Sequence, residues 1–378
     1  MSPLFRFVFA GILGLHGLIH GIGFVKEWHL ITVNAFRATT VLPLSEKAAK
    51  VAGALWLLTG LVLLTAAVSL LTSQSRWWLV ALLGIGLSQL LIVLYWPDAK
   101  AGTGLNVLIL AVSLGAYADW DFNANGMAEV RGLIAESGSA KTPVITAESL
   151  TPLPPVVQKW LKRAGVVGKK RIQTVHLKQI GRMRTKPGGS WMPVEAEQVF
   201  TVSQPGFIWL ARIEAAPLFF LVGRDQYRHG RGNMRIKALA LVPVADAKGV
   251  EIDQGTMLRY LAETVWFPTA ALSDYIQWEG LSDTSARATM HQGGVTASGV
   301  FTFNLAGDAI QFEARRFGEF DGAYRLETWS IALRDHQERA GGIRIPVQSD
   351  VTWKLKTGDF TWYTLTLTEI DYTPLSGD

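Results

Sequence analysis

The chain has 378 residues and no cysteine, which excludes thiol catalysis, disulfide bonds and Cys-ligated metal centres. A formal net charge of only +5 argues against nucleic acid as a partner. The charge is unevenly distributed, since residues 1–125 hold 7 of the 36 Lys and Arg residues and 5 of the 31 Asp and Glu residues. This depletion predicts a membrane domain in the first third and a soluble remainder.

Four apolar stretches predict membrane-spanning helices: residues 5–24, 51–71, 77–96 and 104–118. The first three reach the roughly 20 residues that a helix needs to cross a bilayer core. The fourth is shorter, but Tyr117 and Trp120 can extend it into the interfacial region. We expect the first stretch to be an uncleaved anchor, because no small-residue cleavage site follows it and three further apolar stretches do.

Basic residues beside the spans predict the orientation of the protein. The first and third loops lie on one side of the membrane and carry five such residues: Lys26, Arg37, Lys47, Lys50 and Lys100. The opposite side carries three: Arg6, Arg76 and Arg131. This excess places the N-terminus, and all that follows residue 118, outside the cytoplasm.

His16 and His20 lie four residues apart and therefore share one face of the first helix. Buried polar groups in a membrane are often functional, so one hypothesis is a haem, metal or quinone site in a membrane redox or transfer enzyme. The alternative is interhelical hydrogen bonding beside a close-packing surface of three glycines: Gly14, Gly17 and Gly21. We favour the alternative and expect no cofactor, because an HxxxH pair alone lacks further metal ligands.

The domain boundaries predicted from composition are residues 1–122 for the four-span membrane domain, 123–150 for a linker and 151–378 for a β-rich domain. The linker contains several glycines and little periodicity, apart from a partly helical pattern around residues 127–136. A short helix opens the β-rich domain, since Pro155 suits a first helical turn and Gly165 suits a C-terminal stop.

From Arg171 onward the apolar residues alternate with a period of two, which is typical of half-buried strands. Turn sequences rich in Gly, Pro and Asp separate these runs, giving ten to twelve predicted strands. Short connections of this kind join antiparallel neighbours, because parallel pairs need long crossovers.

The segment GRDQYRHGRGNMRIK, residues 223–237, is predicted to form a basic hairpin among these strands. Arg224, Arg228 and Arg231 are candidates for contact with anionic lipid head groups. An equally good interpretation is that the cations protect an exposed sheet edge from pairing with another strand.

Residues 251–272 hold the one convincing helix among these strands. Leu258 and Leu261 belong to an apolar stripe at helical spacing, and Asp253 is a candidate N-cap. Pro268 disfavours helical geometry at the residue before it, so the helix should end around Trp266. An amphipathic helix must bury its apolar stripe, and we therefore expect it to fill a curved antiparallel sheet.

Several strings in the second domain resemble an uncharacterised family of bacterial membrane proteins, which carry a domain of unknown function behind a small helical membrane region. These strings are LPPVVQKWLKRAGVVG, WMPVEAEQ, GRDQYRHGRG, EIDQGTMLRYLAETVWFPTA, GGIRIP and EIDY, between Leu153 and Tyr372. The domain also resembles the lipoprotein-carrier and lipoprotein-export fold, whose members hold lipid or acyl chains outside the cytoplasmic membrane. The membrane part is loosely similar to DoxX-like bundles. The resemblance implies no catalytic residues.

The expected fold is therefore of the α+β class, with a four-helix transmembrane bundle followed by a curved antiparallel β half-barrel closed by helices. Aromatic residues either fill its interior or line a cavity for an apolar ligand. Candidate ligand-binding residues come from one strand and from the central helix: Phe207, Trp209, Leu258, Leu261, Trp266 and Phe267.

The sequence contains little sign of catalytic activity, because no nucleophile elbow, phosphate-binding loop or HExxH motif is present. Arg259 and Glu263 have the spacing of a structural ion pair, although an acid/base role is the alternative. We expect a non-enzymatic protein of the bacterial cytoplasmic membrane that binds a membrane lipid or acylated ligand, with the β domain outside the cytoplasm. The alternatives are the histidine-dependent membrane enzyme and a scaffold for another envelope protein.

Overall fold

The computed structural model describes residues 3–31, 37–138 and 143–372 of the chain. The chain forms two compact units, Met1–Phe122 and Asn123–Asp378, which we call the helical unit and the β unit.

The helical unit contains α1 (Pro3–Glu27), α2 (Glu46–Leu71), α3 (Trp77–Leu94), the short α4 (Trp96–Ala99) and the first part of α5 (Gly102–Ser137). Among the described residues, α1, α2, α3 and α5 are the four helices long and apolar enough to cross a membrane. They expose many large apolar side chains, such as Leu15, Leu83 and Leu90. Such surfaces suit contact with lipid tails, and the prediction of four helices long and apolar enough to span a membrane is confirmed.

Helices α1 and α2 pack closely at a pair of glycines. A Cβ atom on Gly17 would lie 2.9 Å from the carbonyl oxygen of Gly60, so neither position has room for a side chain without a shift of the backbone. Gly14 and Gly21 have no atom within 4 Å of such a Cβ. The predicted close-packing surface is therefore confirmed at Gly17 and wrong at the other two glycines.

The β unit contains α6 (Pro155–Arg163), α7 (Val250–Glu263) and one antiparallel sheet in which the described residues form thirteen strands. The strands are β1 (Thr174–Met183), β2 (Met192–Thr201), β3 (Gly206–Ala216), β4 (Phe219–Arg228), β5 (Arg231–Ala238), β6 (Val242–Ala247), β7 (Ile276–Ser282), β8 (Ser285–Gln292), β9 (Val295–Phe303), β10 (Ala309–Phe320), β11 (Ala323–Arg339), β12 (Ile343–Leu355) and β13 (Gly358–Asp371). Their order is β6-β5-β4-β3-β2-β1-β13-β12-β11-β10-β9-β8-β7. The first and last strands thus pair at the centre, and α7 joins the two edge strands.

Helix α7 ends at Glu263, and a 3-10 turn (Thr264–Trp266) continues it to the predicted end at Trp266. Phe267 has φ −139°, outside the helical region, because Pro268 follows it. The start of α7 differs from the prediction. The N-cap position belongs to Gly249 with φ 120°, a conformation that favours glycine. Asp253 does not cap α7; its Oδ1 accepts a hydrogen bond from the backbone N–H of Gly232 at 2.7 Å. The predicted cap is therefore wrong, because this carboxylate is turned toward the sheet.

The sheet curls around α7 and buries the apolar stripe of the helix. Leu258, Leu261 and Phe267 are fully buried in one core with inward-facing residues of both halves of the sheet. The predicted half-barrel closed by helices is confirmed.

The last part of α5 packs on the outer face of the sheet within the β unit. A Cβ atom on Gly126 would lie 2.6 Å from Cδ2 of Leu210, and Leu133 lies similarly close to Gly206. Further along, Val144 forms an isolated β-bridge with Lys170. Much of the stretch expected to be a linker is thus part of the compact β unit.

Candidate functional site

The concave face of the half-barrel contains a cavity of about 180 Å³. Its walls are formed mainly by β3, β4, β5, β11, β12, β13 and the C-terminal part of α7. Five aromatic residues contribute to the lining: Trp209, Trp266, Trp329, Trp362 and Tyr363. A largely apolar pocket with a few polar groups is the usual form of a small-molecule site.

The six predicted ligand-binding residues separate into two groups. Trp209 and Trp266 line the cavity, and the indole N–H of Trp266 donates to the carbonyl of Pro346 at 3.0 Å. The other four lie in the packed core behind the cavity wall, fully buried: Phe207, Leu258, Leu261 and Phe267.

A buried charge cluster forms one side of the cavity. Arg259 donates from Nε to Glu263 at 2.8 Å and from Nη1 to Asp225 at 2.7 Å. Gln198 donates to the second oxygen of Glu263 at 2.8 Å. Burial raises the pKa of Glu263 even though Arg259 opposes the shift. The arrangement ties α7 to two strands and leaves these carboxylates engaged with protein donors.

Arg316 lies on the concave face of β10 and lines the same cavity. Its guanidinium carbon is 4.5 Å from the ring centroid of Trp329, a cation–π distance. Burial lowers the pKa of Arg316 to about 10, so the side chain remains positively charged at neutral pH. Within the described part of the chain, no carboxylate lies within ion-pair distance of this guanidinium, and its Nε has no acceptor.

Other polar atoms in the wall also lack hydrogen-bond partners among the described residues. They are the indole N–H groups of Trp209, Trp329 and Trp362 and the hydroxyl of Ser349. Tryptophan and arginine can only donate hydrogen bonds. These residues line the cavity, and each carries a buried donor that no described residue satisfies.

Sequence reasoning missed Arg316 and Asp225, although a signal for both was present. In β10, Arg316 has the same parity as Phe312 and Ala314, which are buried on the concave face. In β4, Asp225 has the same parity as the buried Tyr227. A charged residue in phase with buried apolar residues of a strand is thus the pattern that would have indicated them.

The three arginines predicted to contact lipid head groups are all paired with carboxylates. Arg224 is buried on the outer face of β4, with Nε 3.0 Å from Glu129 of α5. Arg228 donates from Nε to Glu136 at 2.6 Å. Arg231 is largely exposed and donates to Asp253 at 2.8 Å. The basic hairpin is therefore used, at least in part, to fasten α5 and α7 to the sheet.

In the helical unit, His16 and His20 join a buried hydrogen-bond network with α3 and α5. His20 Nε2 lies 2.9 Å from Ser88 Oγ, and His16 Nε2 lies 2.9 Å from Asn106 Oδ1. Asn106 in turn donates to Ser88 at 3.1 Å. The described residues contain no group of three or more His, Cys, Asp or Glu side chains placed to hold a metal ion. A cavity of about 310 Å³ borders both histidines.

Comparison with known proteins gives a family and a distant structural likeness. A search of curated proteins finds no match. A solved structure of a DUF1329 family protein from Desulfovibrio piger is similar, with a TM-score of 0.34 and 10% sequence identity over 60% of this chain and 95% of that chain. Residues 143–365, more than half of the chain, match a family of unknown function, DUF6544. The chain therefore belongs to the DUF6544 family.

Proposed function

We propose that this protein binds a lipid or another apolar ligand in the half-barrel cavity and is held at the membrane by its helical unit. The observation that carries this proposal is the cavity of about 180 Å³, lined by aromatic side chains on the concave face of the sheet. Aromatic residues that only filled a core would pack without such a space, because protein interiors are close-packed.

The size of the cavity limits what enters it. Cavities of about 150 Å³ take up benzene, so this one accommodates roughly one ring or part of one acyl chain. Any larger ligand would insert a single tail and leave the rest of the molecule outside.

The tether determines where binding takes place. Four apolar helices precede most of the β unit, so the cavity stays close to a membrane in which apolar ligands are concentrated. The excess of Lys and Arg in the first and third loops supports a β unit outside the cytoplasm. We propose local capture or presentation of a ligand at the cytoplasmic membrane of a bacterium.

A cavity-filling variant tests the proposal. A Cβ atom on Gly223 would make only ordinary contacts, 3.6 Å from Trp209 and 3.9 Å from Ile213, so Gly223→Leu extends a side chain toward the cavity without a backbone clash. The full chain in phosphatidylcholine nanodiscs would be titrated with octan-1-ol in a calorimeter, with empty nanodiscs as the blank. We expect saturable binding by the wild type and its loss in the variant.

Gly132→Leu is the matched control, since a Cβ atom there has nothing within 4 Å. It adds the same side chain away from the cavity and should bind octan-1-ol as the wild type does. Heat no greater than that of empty nanodiscs, or equal binding by Gly223→Leu, would reject the proposed function.

A further inference from the structure

We propose that the half-barrel cavity selects amphiphiles whose apolar tail carries an acidic head group, and that Arg316 binds this group. The inference rests on the proposed function, which supplies the site for the tail. It adds the chemical class of the ligand and names the residue that distinguishes it.

Arg316 makes no direct ion pair with a carboxylate among the described residues. Asp225 and Glu263 are the nearby acids, and each is held by Arg259 at 2.7 and 2.8 Å. No oxygen of either comes within 4.0 Å of the Arg316 nitrogens among the described ion pairs. Asp225 and Glu263 therefore act on the Arg316 charge only from beyond ion-pair distance. The Arg316 guanidinium has no carboxylate bound directly to it, and an acidic group in the cavity would supply one.

The guanidinium of Arg316 is supported by the ring of Trp329. Its 4.5 Å distance from the Trp329 ring centroid places the group against an aromatic surface. A cation–π contact supports the guanidinium while its N–H groups stay available for hydrogen bonds. The planar fork of an arginine matches a carboxylate with two parallel hydrogen bonds.

The polar wall of the cavity contains further donors without partners among the described residues. Trp209, Trp329, Trp362 and Ser349 line the cavity, and each has a buried indole N–H or hydroxyl group without a partner among the described residues. Carboxylates and phosphates present only acceptor oxygens, which is what such a set of donors requires. An ammonium head offers no acceptor at all and would meet the positive charge of Arg316.

The size of the cavity completes the description of the ligand. A space of about 180 Å³ holds one short tail or one ring beside the head group. A single-tailed acid therefore fits the site. Carboxylates and phosphate monoesters share the required chemistry, and the experiment must distinguish them.

The experiment compares probes with the same tail and different heads, using the full chain in phosphatidylcholine nanodiscs. Octanoate, octyl phosphate, octan-1-ol and octylammonium would be titrated in a calorimeter, with empty nanodiscs as the blank. We expect octanoate or octyl phosphate to bind roughly tenfold or more tightly than octan-1-ol, the range for hydrogen bonds to a charged group. The tighter of the two acids identifies the source of the head group.

Substitutions at position 316 separate the charge from the shape of the side chain. Arg316→Gln should lose the preference for the acid, roughly tenfold or more, while octan-1-ol binding is retained and shows that the cavity is intact. Arg316→Lys should recover part of the preference, because it keeps the charge without the fork. Arg315→Gln is the matched control, since Arg315 is exposed on the other face of β10.

The possible failures are distinguishable. If octan-1-ol binds but neither acid binds more tightly, or if Arg316→Gln keeps the preference, the inference is wrong and the proposed function survives. If octylammonium binds best, the inference is also wrong. If no probe exceeds the blank, the proposed function itself fails.

Discussion

Arg259 of α7 reaches across to β4, where its Nη1 lies 2.7 Å from Oδ2 of Asp225. The same guanidinium binds Glu263 one turn further along α7 at 2.8 Å. All three side chains are largely buried, with 12%, 18% and 11% of their surfaces exposed for Arg259, Asp225 and Glu263. Arg259 thus pairs directly with two buried carboxylates and fastens the central helix to the wall of the half-barrel.

Replacing Arg259 should therefore destabilise the β unit severely. Arg259→Leu leaves two buried carboxylates without their counter-ion, a change that costs about 3–5 kcal/mol. Urea unfolding followed by tryptophan fluorescence would measure the loss. Adding Asp225→Asn and Glu263→Gln removes the uncompensated charges and should restore part of the stability. A triple variant no more stable than the single variant would contradict this electrostatic explanation.

The raised pKa of Glu263 predicts a pH dependence. Because burial raises the pKa above its ordinary 4.5, the folded protein binds this proton more tightly than the unfolded chain does. The stability contributed by this group is therefore present below pH 4.5 and is lost as the pH rises through the folded-state pKa. Glu263→Gln lacks this dependence, so the free energy of unfolding of the wild type should fall relative to the variant above pH 4.5.

Urea midpoints measured from pH 4 upward would show whether the two curves diverge. Glu279→Gln makes the same chemical change on the exposed part of β7, where Glu279 pairs with Arg287, and is the matched control. A constant difference for Glu263→Gln would exclude Glu263 as the source of the pH dependence.

The architecture could be predicted from the sequence because the spacing of apolar residues shows which face of each helix or strand is buried. The apolar spacing of α7 and the alternation of strands such as β3 required a helix covered by a sheet, and the structure has both. Pro268 likewise keeps Phe267 out of the helical region, so the helical segment ends at Trp266 as expected. These features depend on neighbours in the chain, which a single sequence displays.

The candidate site was harder to predict from the sequence, because its residues come together only in the folded protein. Asp225, Arg259 and Arg316 come from β4, α7 and β10, and no local pattern shows that they share a cavity. Asp253 illustrates the same problem, since its spacing suited an N-cap while the fold brought a backbone N–H from β5 within 2.7 Å. Whether an aromatic-rich interior contains a space also depends on packing, which composition does not determine.

Asp253 should stabilise the β unit through its buried contact more than through its exposed one. Its Oδ1 accepts from the backbone N–H of Gly232, whereas its partner at Oδ2 is Arg231, which is 67% exposed. We expect Asp253→Ala to cost about 1–3 kcal/mol, because it leaves a buried donor unpaired. Arg231→Ala should cost less than Asp253→Ala, because the carboxylate of Asp253 keeps its hydrogen bond from the backbone N–H of Gly232. Comparable losses from the two variants, measured by urea unfolding, would contradict this assignment.

Core and cavity residues should respond differently to substitution. Leu258 is fully buried, so Leu258→Ala should cost about 2–5 kcal/mol while the affinity for octanoate changes little. Trp362 lines the cavity and its indole N–H is unpaired among the described residues, so Trp362→Phe should lower octanoate affinity with a change in stability below about 1 kcal/mol. Unfolding curves and calorimetry on both variants check this. Loss of ligand in step with loss of stability would show that the two groups are not distinct.

The histidine network of the helical unit should contribute only slightly to the stability of that unit. His20 Nδ1 lies 2.8 Å from the carbonyl of His16, which can only accept, so Nδ1 carries the proton and Nε2 accepts from the Ser88 hydroxyl. Hydrogen bonds of this kind between membrane helices contribute about 0.6 kcal/mol on average. His20→Leu should therefore lower the stability of the helical unit slightly and leave octan-1-ol binding by the β unit unchanged. Visible absorbance or stoichiometric metal in the purified wild type, lost in His20→Leu, would instead support a redox centre at these histidines.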